Sequence, residues 1–237
     1  MMRAGATELV VYLAMHRCGV ASDAWATALW PDRVMAPSSL HSTASEARRA
    51  LGRASNGRDH LPRQHGKLEL AATVGTDWHR FVEFAKLGTP QGWHDALALV
   101  RGEAFEGLRA GDWTILEGFS ALIEAQVVDA ATSLAEHSLV VGDANGAEWA
   151  ARQGLRISHY DERLYRILMR AADAAGNPAG VERVMDELIS VVAEEVEPYD
   201  VVHPETAALY SRLARRRRAL PAGSHQRTGQ RLVDRER

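Results

Sequence analysis

The segment "GDANGAE" at 142–148 returns 34 residues later as "GNPAGVE" at 176–182. Gly142 then falls on Gly176, Gly146 on Gly180 and Glu148 on Glu182. Helical periodicity flanks both copies, at 125–141 and 161–175 before them and at 147–157 and 181–196 after them. A unit of helix, glycine turn and helix cannot bury its apolar face alone, so repeats of it must stack. The small residues Ala130, Ala135, Ala150 and Ala151 let paired helices approach closely. A third unit opens at Pro204, after "VEPYDVVH", and its helix runs to about Leu213. Upstream, 77–87 and 93–100 read as short helices, "RGEAFEGLRAGD" as a loop, and 113–141 as one long helix. From residue 77 onward the chain is therefore expected to be entirely α-helical.

The first 75 residues follow another plan. A helix over 6–16 is expected to bury Leu9, Val10, Leu13 and Cys18. A second starts at Ser22, read as its N-cap, and ends at Trp30, before Pro31. After the loop "PDRVMA" comes "SSLHSTASEARRALG" at 38–52, with Pro37 in its first turn and Gly52 as its stop. Leu40, Ala44, Ala47 and Leu51 form one apolar stripe. Ser38, Ser42, Ser45 and Arg49 form a second line, flanked by His41 and Arg48, and Glu46 is the sole carboxylate. Short hydroxyls allow a helix backbone to approach a groove, and Ser, His and Arg can bond base edges or phosphates. A solvated surface helix has the same stripe, with arginines facing the helix dipole. Further on, turn residues separate short extended runs. Leu68 and Leu70 alternate with Lys67 and Glu69, which reads as a β-hairpin with His65-Gly66 near its tip. Arg63, His65 and Lys67 would meet phosphates there. Three helices followed by a hairpin is the order of a winged helix.

Charge divides the chain in three. Residues 1–75 carry +3, residues 76–210 carry −13 and residues 211–237 carry +7. The acidic body repels a polyanion, so nucleic acid would be met by an end of the chain. "RRRR" at 215–218 followed by Pro221 and Gly223 reads as a disordered basic tail. No apolar run is long enough for a transmembrane helix. "TELVVYLAMHR" reads as a core helix rather than a signal peptide. The single cysteine, Cys18, permits no internal disulfide, fits a reducing cytoplasm and is expected to be a plain buried thiol. No catalytic constellation, cofactor motif or metal set is expected. Asp200, His203 and Glu205 sit together, but His203 precedes a helix start at Pro204. Glu194, Glu195 and Glu197 read as a solvated helix end. The glycine turns lack the lysine of a phosphate loop. Trp25, Trp30, Trp78, Trp113 and Trp149 read as packing residues.

A family resemblance rests on motifs in order: "TELVVYLAMH", "ALWPD", "SSLHSTASEARRALG", "TDWHRF", "LVRGEAFEGL", "AEHSLVVGDANGAEWAARQGL", "DERLYRILMRAADAAGNPAGVERVMDELI" and "EPYDVVHPETAALY". Over about residues 6–214 the chain resembles bacterial transcription regulators of the antibiotic-regulatory-protein type. These join an OmpR-like winged helix to a bacterial transcriptional activator domain of tetratricopeptide-like repeats. The chain is also similar to the C-terminal part of larger bacterial proteins with LysM-type regions and membrane segments upstream. The resemblance implies a mainly α fold with a winged-helix DNA-binding domain at 1–75, a repeat domain at 76–214 and a basic tail at 215–237. It implies binding of double-stranded DNA by the third helix, with hairpin contacts to the flanking backbone. The expected contacts are Ser38, Ser39, His41, Ser42, Ser45, Arg48, Arg49, Arg63 and Lys67, with Arg48 also placed to brace the domain's own backbone. The loop "PDRVMA" resembles the segment that approaches RNA polymerase in OmpR-like proteins. The repeat domain resembles a homodimerisation or partner-binding module. Two features depart from the pattern. The chain starts at the first helix, without the small sheet OmpR-like domains carry ahead of it, so the hairpin is expected to lack its partner and expose an edge. "GKLEL" also has no aromatic where the family often has one. The competing reading is a repeat scaffold whose winged helix does not bind DNA.

Overall fold

The computed structural model describes residues 2–63, 66–109, 111–195 and 202–219. The expectations for His65, Glu197, Asp200 and the tail beyond residue 219 lie outside the described residues. Among the described residues the chain is mainly α-helical, with one two-stranded sheet.

The N-terminal part consists of α1 (Ala4–Met15), β1 (Val20–Ala21), α2 (Ser22–Leu29), α3 (Pro37–Leu51) and β2 (Lys67–Leu68). Leu9 and Leu13 of α1, Trp25 and Leu29 of α2, and Ala44 and Ala47 of α3 bury into one cluster, closed by Leu61, Leu68 and Leu70. The hairpin differs from its sequence reading. Its strand β2 pairs antiparallel with β1, Val20 against Leu68 and Ala21 against Lys67. The edge expected to be exposed therefore has a partner, supplied by a two-residue strand between α1 and α2. Towards the start of the wing, Arg53 and Asp59 form an isolated bridge, and Ala71 N–H donates to the His60 carbonyl at 2.8 Å. Two smaller expectations also change. Ser22 is the first residue of α2 rather than its cap, which is Ala21 and makes no side-chain bond. Cys18 is exposed, because α1 ends at Met15 and the thiol falls in the turn leading to β1.

The rest comprises α4 (Asp77–Ala85), α5 (Pro90–Leu97), α6 (Asp112–Leu116), α7 (Phe119–Val140), α8 (Ala144–Leu155), α9 (Glu162–Ala174), α10 (Pro178–Glu195) and α11 (Pro204–Ala219). The long helix expected over 113–141 is broken at Gly118, whose φ of 77° lies in the left-handed region that a side chain disfavours. The repeat holds to the level of single bonds. Gly142 and Gly176 both take left-handed φ, and the following N–H groups, of Asp143 and Asn177, reach back to Ser138 and Ala172 carbonyls at 2.8 Å. Asp143 and Asn177 then cap the next helices by accepting from the N–H groups of Gly146 and Gly180, each at 2.9 Å. The sequence motif is thus a helix stop and a helix start written in seven residues. Ala130, Ala131, Ala147, Ala150 and Ala151 are fully or almost fully buried between α7, α8 and α9. Gly154 lies so near Ala131 and Leu164 that a Cβ there would stand 2.9 Å from the alanine methyl. Arg215 to Arg218, read as the start of the tail, continue α11 to Ala219.

The two clusters meet along α1. Trp113 of α6 is 2 % exposed and belongs to the N-terminal cluster, edge-on to Tyr12 at 4.9 Å. Tyr12 OH donates to Glu117 Oε1 at 3.1 Å, and His16 Nε2 bonds Glu117 Oε2 at 2.7 Å. The buried Glu8 carboxylate accepts the Arg109 N–H at 2.7 Å. Burial first, then the Glu117 charge and hydrogen bond, pushes the Tyr12 phenol up to about 12. A raised phenol pKa adds stability that is complete below the ordinary value near 10 and is lost as pH climbs through 12. Between those limits the native chain is expected to lose up to ~1.4 kcal/mol per pH unit relative to Tyr12→Phe. Urea midpoints of both chains at pH 8, 10 and 11 measure this. Parallel midpoints would show that Tyr12 does not hold the seam as its neutral phenol.

Candidate nucleic-acid interface

Helix α3 starts at Pro37, whose fixed φ suits a first turn, and stops at Gly52. Ala44 and Ala47 lie against the core, with Ala47 at 0 % exposure, and Leu40 and Leu51 are half-buried. Alanine at these two positions lets α3 press closely on α1. That fixes which residues face outwards. Ser38, His41, Ser42, Ser45 and Arg49 are exposed, while Ser39 and Arg48 are half-buried. The Ser39 carbonyl accepts from the Thr43 hydroxyl at 3.0 Å. Glu46 is turned away from this face. It accepts the Arg3 N–H at 2.8 Å, just ahead of α1, and lies 3.8 Å from the Arg3 guanidinium. The outer face therefore presents hydroxyls, an imidazole and a guanidinium with no free carboxylate of its own helix.

Five of the expected residues line one groove of about 380 Å3 between α3, the start of α2 and β2: His41, Ser45, Arg48, Arg63 and Lys67. Ser38, Ser39, Ser42 and Arg49 lie outside its lining. Arg63 and Lys67 are exposed, and Lys67 is held in place by the β1–β2 pairing. Arg48 does brace the backbone: its Nε donates to the Leu61 carbonyl at 3.1 Å, in front of the wing. Burial, then repulsion from Arg63, moves its guanidinium below the usual range, and Asp59 partly offsets this. Ser22 also lines the groove. The sequence reading assigned it to capping; the signal it held was a hydroxyl one residue from the strand that pairs with Lys67. Arg53 is spent on Asp59 at 2.9 Å.

Arg48→Ala is expected to cost about 1–2 kcal/mol of stability, because the Leu61 carbonyl loses its donor. It is also expected to weaken binding to every DNA sequence alike. Urea titration and binding to matched and random duplexes measure the two effects, and an unchanged midpoint would show that Arg48 does not support the wing.

Among the described residues no group of three His, Cys, Asp or Glu could hold a metal ion. His203 is occupied with helix geometry, its Nδ1 accepting from the Glu205 N–H at 3.3 Å and its own N–H donating to Glu162. Trp25 and Trp113 are buried, and Trp149 stacks on His94 at 4.7 Å. Among the described residues no helix is long and apolar enough to cross a membrane.

A three-helix head with a paired wing strand is carried on a body of stacked helix, glycine turn and helix repeats. The bacterial transcriptional activator domain matches residues 87–214, more than half of the chain, and the chain belongs to that family. Among solved structures it is similar to Mycobacterium tuberculosis EmbR, determined in complex with a low affinity phosphopeptide, at 23 % identity and a TM-score of 0.65. The match covers 90 % of this chain and 60 % of that one, so the chain spans less than two thirds of the length of its solved relative. No curated protein matches it.

Proposed function

We propose that the chain binds double-stranded DNA through the outer face of α3 and the groove beside it, and regulates transcription from there. The observation that carries this reading is the convergence of His41, Ser45, Arg48, Arg63 and Lys67 on one groove, with the only α3 carboxylate turned away. Family membership supports the transcriptional role. In this reading Ser38, Ser39, His41, Ser42, Ser45 and Arg49 face base edges or the nearest phosphates, and Arg63 and Lys67 hold flanking phosphates. The loop at 31–36 is the contact for RNA polymerase. Its support is Val34, which is fully exposed beside a groove lined by Trp30, Met35 and Leu40. The repeat body serves a second copy or another protein, and exposed Ile115 and Leu116 on α6 offer apolar surface for it.

Binding to the chain's own promoter region, followed by fluorescence anisotropy against salt, tests the proposal. Affinity is expected to fall steeply, with a log–log slope of about −0.9 per phosphate neutralised. Absence of any shift at low salt, together with saturable binding of a protein to the repeats, would establish the scaffold reading instead.

A further inference from the structure

The seam between head and body holds a cleft of about 580 Å3, within the range of small-ligand sites. Its walls come from both sides. Val10, Val11 and Met15 belong to α1, and Trp78, Leu99 and Ile123 belong to the body. The first five of these are only half-buried, so the cleft presents apolar surface that neither cluster covers. One wall carries backbone strain. Phe105, which also lines the cleft, has a φ of 65° and is the only non-glycine in the left-handed region among the described residues. A bulky residue holds that conformation only where its surroundings impose it, and such residues gather at ligand clamps. The Phe105 ring is held edge-on to Trp113 at 5.7 Å.

The rim states the charge of the occupant. Asp77, Glu103 and Glu106 stand at the cleft against one cation, Arg101, which is paired with Asp77 at 2.8 Å. Glu103 bonds His159 at 3.0 Å. Glu106 is exposed and forms no ion pair among the described residues, within a body of net charge −13. A carboxylate or phosphate ligand would be repelled here.

We infer that this cleft is a binding site for a small apolar molecule bearing an amine, its hydrocarbon part against Val10, Val11, Trp78 and Leu99 and its ammonium facing Glu106. The site is separate from the groove beside α3, and its occupancy is measured without DNA, so failure of the DNA-binding proposal leaves it intact. Hexylamine, octylamine, octanol and octanoate serve as probes, with binding to the full chain followed by calorimetry and thermal shift. Octylamine is expected to bind saturably at one site and octanoate not at all. Octylamine is expected to exceed hexylamine by about fifteenfold, because each buried methylene contributes about fourfold. Glu106→Gln is expected to weaken octylamine at least about fivefold while leaving octanol unchanged, and Ala104→Trp, which fills the cleft from a half-buried position in its lining, is expected to abolish both. Equal binding of octylamine and octanoate, no dependence on chain length, or full octylamine binding by folded Ala104→Trp would overturn the assignment. Should Ala104→Trp not fold, Glu106→Gln decides, since that exposed change does not touch a core. Loss of octylamine binding on removing residues 220–237, with Glu106→Gln silent, would also overturn it.

Discussion

Arg49→Ala is expected to lower affinity for the chain's best DNA site by about tenfold to a hundredfold, the usual worth of an arginine–guanine contact, and to leave the urea midpoint unchanged. Arg49 is exposed on the outer face of α3, and no hydrogen bond or ion pair holds it among the described residues, so nothing in the fold depends on it. Affinity for random duplex should fall much less. Lys67→Ala should behave differently. It should weaken all sequences alike and flatten the salt slope by about one, as the loss of one phosphate contact does. His41→Ala and Ser42→Ala should change which sequences are preferred. Selection of bound DNA from a random pool, followed by affinity against salt for each variant, separates the two classes. If Arg49→Ala and Lys67→Ala lose specific and random DNA in equal proportion, the outer face of α3 does not read sequence.

Trp113→Ala carries the largest expected effect on stability, about 3–5 kcal/mol, the range for removing a large buried aromatic. That is a large share of the 5–15 kcal/mol typical of a whole domain. Trp113 lies between Tyr12 and Phe119, at 4.9 and 5.9 Å, and joins α1 to the repeat body. Its indole N–H has no hydrogen-bond partner among the described residues, so Trp113→Phe keeps most of the packing and should cost markedly less. Urea unfolding followed by circular dichroism measures both. The variant should also separate the unfolding of the head from that of the body, because the shared aromatic contact is gone. A loss below about 1 kcal/mol for Trp113→Ala would show that the seam is not a core.

The repeat was legible because its cause is local. A left-handed glycine, an Asx cap and a glycine beneath the cap act within seven residues, and both copies carry all three. Helix α3 was legible for the same reason: its period, its proline start and its glycine stop need no distant partner. The break at Gly118 was missed because a glycine inside an apolar run is also tolerated within a helix. Cys18 was misplaced because the helical stripe was continued past the point where α1 ends. Strand β1 has two residues, too few for any period, and it exists only because Leu68 and Lys67 arrive beside it.

The sequence by itself determined most of the helices, the repeat, the order of head and body, and the residue types on α3. It could not decide which of those residues share a groove. That depends on β2 crossing to β1, on Arg48 reaching the Leu61 carbonyl, and on Glu46 turning to Arg3, 43 residues away. Nor could it show that Glu8 is buried, since its acceptor role is met by an N–H 101 residues distant. Local periodicity follows from backbone geometry, whereas hydrogen bonds and charges between distant segments take their partners only once the chain has closed.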